Sequence, residues 1–413
     1  MSGRLKSCRV AVTGMGAVTC MGLDLETTWE GLLAGKTGID FIKGFPVEGY
    51  PSNIAGEVKC FDPTLWIPAR EARVFDRYIH LGMAAAEMAV RQSGIAEGMD
   101  DPGRVGCLIG TGAGGLETLG RQLVILTAKG SRAVSPFSVP ASISNSASSL
   151  AAAKFGFKGP NWAIVAACAS GAACLADAMM MIQCGMADAM VAGASEALTV
   201  WTIGGFGAAK ALSVRFDTPQ TASRPFDLER NGFVASEGAC VLVLENMDFA
   251  KARGANILAE LAGMGVTCDA YHPTLPDPSG ETAAKAMRYA IEDAGLNPED
   301  IDYVNAHATS TTIGDRIECL AIDQVFGGRK LPISSTKSAI GHMLGAAGSM
   351  EAAITLKVIQ QGVLPPTINY TTPDPTCNVD CVPNVARESK VKAALTNSFG
   401  FGGHNVCLVL RAV

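Results

Sequence analysis

Residues 161–185, NWAIVAACASGAACLADAMMMIQCG, constrain this chain more than any other stretch. An apolar, β-branched run from Trp162 to Val165 ends in small residues and then Cys168. A long segment of Ala, Met and Cys follows, broken by one acid, Asp177, and closed by Gly185. The pattern predicts a buried strand, a tight turn and a buried helix with glycine at its C-terminal cap. Burying such a unit takes a large core, and 413 residues that are 48% hydrophobic and 17% charged can supply one.

Cys168 falls where that strand meets the helix N-terminus. Unpaired N–H groups and the positive end of the helix dipole favour a thiolate there, which is a nucleophile's position. The alternative is a small buried cysteine in an Ala-rich core, one of 13 in the chain. The second half of the sequence bears on that choice. Of five histidines, two stand in segments of similar design: His307 in DYVNAHATSTTIGD (302–315) and His342 in LPISSTKSAIGHMLGAAGSMEAA (331–353). Each follows a short apolar strand, and His342 opens a small-residue helix that runs towards Gly362. A histidine at a helix N-terminus tends to stay neutral and to donate through a ring N–H. The cation Lys337, five residues upstream of His342, pushes the same way. A thiolate, two histidines and a lysine suit acyl transfer followed by stabilisation of a developing enolate or oxyanion.

At these residues the sequence resembles the elongating β-ketoacyl-acyl-carrier-protein synthases, the decarboxylating condensing enzymes of fatty-acid and polyketide synthesis. The resemblance runs through RVAVTGMGAVTCMG (9–22), GFKGPNWAIVAACASGAA (156–173), SRPFDLERNGFVASEGA (223–239), NAHATSTTIGD, SSTKSAIGHMLGAAGSMEA and NSFGFGGHN (397–405), in matching order and spacing. It implies that Cys168 is the acyl-accepting nucleophile and that His307 and His342 serve malonyl decarboxylation and condensation. It further implies that Lys337 supports the histidine environment and that Thr309 and Thr311 hold the phosphopantetheine arm. The oxyanion hole is then the backbone N–H groups of Cys168 and Phe401, with Phe401 also the gate between acyl pocket and malonyl site.

This chain departs from the common family pattern at Ala308 (more often Gly), at Ser236-Glu237-Gly238 (often Gly-Glu-Gly) and at His404 (often Thr). None of these touches the Cys-His-His set. Thiolases carry a second catalytic cysteine in the C-terminal glycine loop, whereas 397–404 reads NSFGFGGH and Cys407 lies in the following strand. Initiating synthases use Cys, His and Asn, whereas His342 fills the last position here.

The resemblance implies an α/β chain with a thiolase-like fold, two duplicated βαβαβαββ halves in a layered α-β-α-β-α core. Residues 1–258 form the half with cap insertions and the nucleophile, and residues 259–413 form the half with the two histidines. The sequence agrees in outline: strands alternate with Ala/Gly-rich helices in both halves, and no low-complexity linker intervenes. The strand ACVLVLE (239–245) and the final VCLVLRAV (406–413) echo each other, as a duplication would leave them.

A net charge of −6 with no basic cluster argues against nucleic-acid binding. The scattered cysteines lack any C-x-x-C, and CNVDC (377–381) has the wrong spacing for a zinc knuckle. A reducing, cytoplasmic setting without disulfides is expected. Arg4, Lys6 and Arg9 before an apolar stretch mimic a signal peptide, but the Gly/Thr content predicts a first core strand instead. The apolar 161–210 region is interrupted by Asp177, Asp188, Glu196 and Lys210, so it reads as core rather than a membrane span. GMGAVTCMG (14–22) lacks the third glycine of a dinucleotide loop, and GLLAGKT (31–37) is one residue short of a phosphate loop. No nucleotide cofactor and no catalytic metal are expected.

The expected partners are acyl carrier protein, which brings the phosphopantetheine arm with its acyl and malonyl thioesters, and a second copy of this chain. Arg70, Arg73 and Lys210 are candidates for a basic patch facing the acidic carrier. AMVAGAS (189–195) and residues 201–209 are candidates for the dimer contact. The resemblance places Ala113 of GTGAGGL, with Phe206, at the far end of the acyl pocket, where many relatives carry a bulkier residue. Close packing favours neighbouring side chains closing that gap, with an open pocket for long or branched primers as the alternative. The activity implied is decarboxylative Claisen condensation in fatty-acid elongation. The alternatives are a specialised polyketide or modified-lipid ketosynthase and a non-catalytic chain-length-controlling subunit, against which Cys168 argues.

Overall fold

The apolar runs pair into one ten-stranded sheet in the computed structural model, which describes residues 8–215 and 217–413. Arg4 and Lys6 lie outside the described residues, and Arg9 leads directly into the first strand. The first half runs β1 (Val10–Val18), α1 (Arg77–Ser93), β2 (Val105–Gly110), α2 (Ser146–Phe155), β3 (Asn161–Trp162), α3 (Ser170–Gln183), β4 (Ala189–Glu196) and β5 (Gly238–Asn246). The second runs β6 (Ala259–Cys268), α4 (Glu281–Asp293), β7 (Tyr303–Asn305), α5 (Thr312–Phe326), β8 (Ile333–Ser334), α6 (Ala347–Gln361), β9 (Ala393–Gly400) and β10 (His404–Arg411). A short helix, Met247–Ala252, stands between β5 and β6.

Each half is βαβαβαββ, and the sheet order is β8-β7-β9-β10-β6-β1-β5-β4-β2-β3. Both halves therefore repeat one strand order outward from the antiparallel β1–β6 contact. The echoing strands β5 and β10 hold equivalent places, each antiparallel to the first strand of its own half. Helices α3 and α6 pack on each other between the two five-stranded halves, α1 and α2 cover the outer face of the first, and α4 and α5 that of the second. The result is the five-layered α-β-α-β-α core.

Local sequence explains the central layer. A helix without a polar face is stable only where apolar groups cover it all round, and α3 is such a helix, buried along Ala172, Cys174, Leu175, Ala178 and Met179. A Cβ on Gly171 would stand 2.7 Å from the Ser349 nitrogen, so glycine lets α3 and α6 meet backbone to backbone. The outer helix α1 starts at Asp76, whose carboxylate accepts the Tyr78 N–H, and stops at Gly94 with φ of +63°.

Two expectations are corrected here. The strand expected over 162–165 shrinks to Asn161–Trp162, and Trp162 and Val165 are 40% and 56% exposed. Among the described residues β3 is an edge strand paired with β2 alone, so one side of it is left open there. AMVAGAS, a candidate dimer contact, lies inside β4, buried throughout and paired on both sides by β2 and β5. The two near-miss glycine motifs are β1 with its following turn and the end of a helix, Leu25–Leu33. No helix among the described residues is long and apolar enough to cross a membrane.

Candidate active site

Cys168 sits in a tight turn between β3 and α3. The Ser170 hydroxyl accepts the Ala166 N–H at 2.9 Å and donates to the Ala167 carbonyl at 2.7 Å. This holds Ala167 at φ of +48°, a conformation that a residue with a Cβ adopts only when its surroundings fix it. The turn presents the half-buried Cys168 to a cavity of about 360 Å³.

His307 enters the same cavity from the loop after β7, and His342 from the loop between β8 and α6. β7 and β8 are parallel neighbours, so their following loops lie side by side. The two imidazole rings stand 5.4 Å apart, nearly perpendicular. His342 packs edge-on against Phe233 at 5.3 Å, and His307 against Phe399 at 5.7 Å. Nδ1 of each is buried and has no hydrogen-bond partner among the described residues. Burial, and then the Lys337 cation, hold both rings well below the usual histidine range. Both are therefore neutral near pH 7. Helix α6 starts only at Ala347, so burial rather than a helix end is the main cause.

Lys337 is 1% exposed and pairs with the equally buried Glu351 of α6. Losing one partner of such a pair costs about 3–5 kcal/mol, which keeps the ammonium in place behind the histidines. Burial pushes the Glu351 carboxyl up to about 7, with Lys337 pulling it back.

The expectation of a resting thiolate at Cys168 is not met. Burial pushes the thiol up to about 12, against the pull of Lys337 and of the Phe401 backbone. Desolvation outweighs the helix end, so the thiol keeps its proton at rest. Phe401, in the hairpin between β9 and β10, lines the same cavity as Cys168.

Thr309 and Thr311 line the cavity with their hydroxyls 3.1 Å apart, and Phe206 and Lys210 face it too. Phe206 stacks between Phe233 at 5.2 Å and Phe401 at 6.0 Å. Three sequence candidates lie elsewhere. Arg70 and Arg73 are exposed on and just after the short helix Ala69–Ala72, not on the cavity. Ala113 is exposed and off the cavity as well, because Thr111 and Gly112 are pinned inward to Glu196 and the chain turns out at Gly114.

Sequence reasoning missed the residues that fix the site from behind. Glu318 accepts the His307 N–H at 2.9 Å, the Ala308 N–H at 2.6 Å and the Asn397 amide at 2.9 Å. Arg230 holds the Thr311 and Thr312 carbonyls at 3.1 and 3.0 Å and pairs with Asp374 at 2.6 Å. Neither stands out locally, since Glu318 follows Asp315 and Arg316, and Arg230 follows Glu229; only Glu351 is a lone charge in a small and apolar stretch, GSMEAA.

The profile of the Beta-ketoacyl synthase N-terminal domain matches residues 7–250, and that of its C-terminal domain matches residues 258–371. The chain is 45% identical over 410 residues to 3-oxoacyl-[acyl-carrier-protein] synthase 2 of Synechocystis, covering 98% of this chain and 99% of the relative. It is 45% identical over 408 residues to the Coxiella burnetii protein of the same name, with the same coverage. Among solved structures, a beta-ketoacyl synthase of Burkholderia phymatum superposes with a TM-score of 0.91 at 34% identity, covering 98% of this chain and 100% of that one. A type II polyketide ketosynthase, solved with its acyl-carrier protein, superposes with a TM-score of 0.91 at 35% identity over the same shares.

Proposed function

The chain belongs to the β-ketoacyl synthase family, and from that premise we propose how it acts. It is an elongating 3-oxoacyl-[acyl-carrier-protein] synthase of fatty-acid synthesis, an acyltransferase that condenses an acyl thioester with malonyl-acyl-carrier protein. The convergence of Cys168, His307 and His342 on one cavity carries the reading.

The acyl group passes from its carrier thioester to the Cys168 sulfur, and the carrier thiol leaves with the proton. The tetrahedral oxyanion lies against the Cys168 and Phe401 N–H groups. Malonyl-carrier protein then places its arm along Thr309 and Thr311. Loss of carbon dioxide leaves an enolate, to whose oxygen neutral His307 and His342 donate. The carbanion attacks the acyl-cysteine thioester, expels the sulfur and gives the 3-oxoacyl product. Decarboxylation supplies the carbanion, so no base is needed to remove a C–H proton. The protein needs no cofactor of its own, because the phosphopantetheine arm arrives on the carrier.

Acyl carrier protein is the macromolecular partner, with Lys210 at the cavity the basic residue best placed to meet it. The working compartment is the cytoplasm, a reading supported by scattered cysteines with no C-x-x-C pair. A presence of Cys168 at the cavity disfavours a non-catalytic subunit, and the higher identity to fatty-acid synthases than to the polyketide enzyme favours elongation. Incubation of the purified protein with acyl- and malonyl-carrier protein should release carbon dioxide and 3-oxoacyl-carrier protein in equal amounts. Carbon dioxide without condensed product would overturn the assignment.

The protein acts as a homodimer. Helix Leu116–Lys129 buries only Thr118, and its Leu119, Leu123 and Val124 are exposed beside Val139 and Trp201. Such an apolar face needs cover, and Ala113, three residues before the helix, would be covered with it. Sedimentation at micromolar concentration should give twice the 42.7 kDa chain mass. A fully active monomer would contradict it.

A further inference from the structure

One carboxylate at the junction of the two halves has no part in the mechanism above. Glu196, the last residue of β4, is 1% exposed and does not reach the cavity. One of its oxygens accepts the Gly112 N–H at 2.7 Å and the Gly345 N–H at 3.0 Å, and the other accepts the Thr111 hydroxyl at 3.1 Å. Gly112 follows β2 of the first half, whereas Gly345 comes three residues after His342 in the second. The two backbones touch: a Cβ on Gly345 would lie 2.2 Å from the Gly112 nitrogen, and one on Gly112 would lie 3.5 Å from the Ala167 oxygen. Ala167 immediately precedes Cys168. The first-half loop and the His342 loop thus converge on one side chain, and the nucleophile turn packs against the first of them.

Leu344, between His342 and Gly345, holds φ of +48°, the same value as Ala167. Residues with a Cβ keep that conformation only where neighbouring bonds fix it. No cation pairs with Glu196 among the described residues, so its buried charge depends on these donors. Burial pushes the carboxyl up to about 7 while the Gly112 and Gly345 N–H groups and the Thr111 hydroxyl pull it back.

We propose that Glu196 is a positioning residue: it ties the His342 loop to the 111–113 loop beneath Cys168 and so sets where the His342 ring stands relative to the sulfur. The inference rests on the condensing activity proposed above. The Cys168 turn has its own support in the Ser170 hydroxyl, which does not bond Glu196, and Glu196 reaches the sulfur only as a charge that opposes the thiolate. Acyl transfer is therefore the step that depends on Glu196 least, and malonyl decarboxylation the step that depends on it most.

Two substitutions separate reach from charge. Glu196→Asp keeps the charge but is one methylene too short to hold both N–H groups. Glu196→Gln keeps the reach, since its amide oxygen can accept both N–H groups while its NH2 donates to the Thr111 hydroxyl. With E196D, kcat for malonyl decarboxylation should fall on the order of tenfold while acylation of Cys168 stays within about twofold, the loss expected for one or two unsatisfied buried donors. E196Q should stay within about threefold of wild type in both half-reactions. Thermal unfolding of each variant confirms that the compared proteins are folded. Parallel loss of both half-reactions in E196D, or a loss in E196Q as large as in E196D, would overturn the proposal. Wild-type protein assayed alongside tests the condensing activity itself, so its failure is distinct from a failure confined to the ratio in the variants.

Discussion

Cys168→Ser should abolish condensation, with a loss on the order of 10³-fold or more, as expected when the group that forms the covalent intermediate is removed. The argument rests on acidity and on position. A half-buried thiol pushed up to about 12 loses its proton only as the thioester arrives, with the Lys337 cation favouring the thiolate. A serine hydroxyl in the same turn is a far weaker acid, and both histidines are held too far below their usual range to accept its proton. Cys168→Gln should behave differently. Its side-chain amide imitates the acylated state, so malonyl decarboxylation persists although condensation does not. Mass spectrometry of the acyl-enzyme and release of labelled carbon dioxide would read the two outcomes separately. A serine variant that condenses at the wild-type rate would sink the nucleophile assignment.

His307→Ala and His342→Ala should each lower malonyl decarboxylation by about 10²–10³-fold, the usual cost of one lost donor to a developing oxyanion. Acylation of Cys168 should survive, because its oxyanion faces backbone N–H groups instead. The pH profile carries the sign of the argument. A histidine whose folded value is depressed remains neutral until the pH falls well below 6.5, and both rings are depressed by burial and by Lys337. In wild-type protein the decarboxylation rate should therefore show no imidazole step near 6.5, and a step centred near 7 that E196Q removes belongs to the Glu196 carboxyl. A sigmoidal loss centred near 6.5 would mean that the rings are solvated and that Lys337 does not shape their charge.

The organisation of the site differs from its chemistry in how far it can be read from the chain. His307 and His342 are recognisable because each follows a short apolar strand and begins a run of small residues, a local pattern that places a side chain at the end of a strand. The partners that fix them are not local. Glu318 reaches back across the first turns of α5 to two backbone N–H groups, and Glu196 bonds residues 84 and 149 positions away. Nothing in the spacing of those acids announces these bonds.

Sequence by itself singled out Cys168, His307, His342 and Lys337 as candidates, and its resemblance to the β-ketoacyl synthases implied the thiolase-like fold and the duplication with which the echo of β5 and β10 agrees. The candidates stand out by residue type and local pattern. Tertiary structure alone decided what those side chains are like in place. It left Trp162 and Val165 uncovered at a sheet edge, buried AMVAGAS between two strands, turned Ala113 away from the cavity and kept the Cys168 thiol protonated at rest. The reason is physical: burial and acidity depend on desolvation and on charges brought in from distant segments, and a local pattern contains neither.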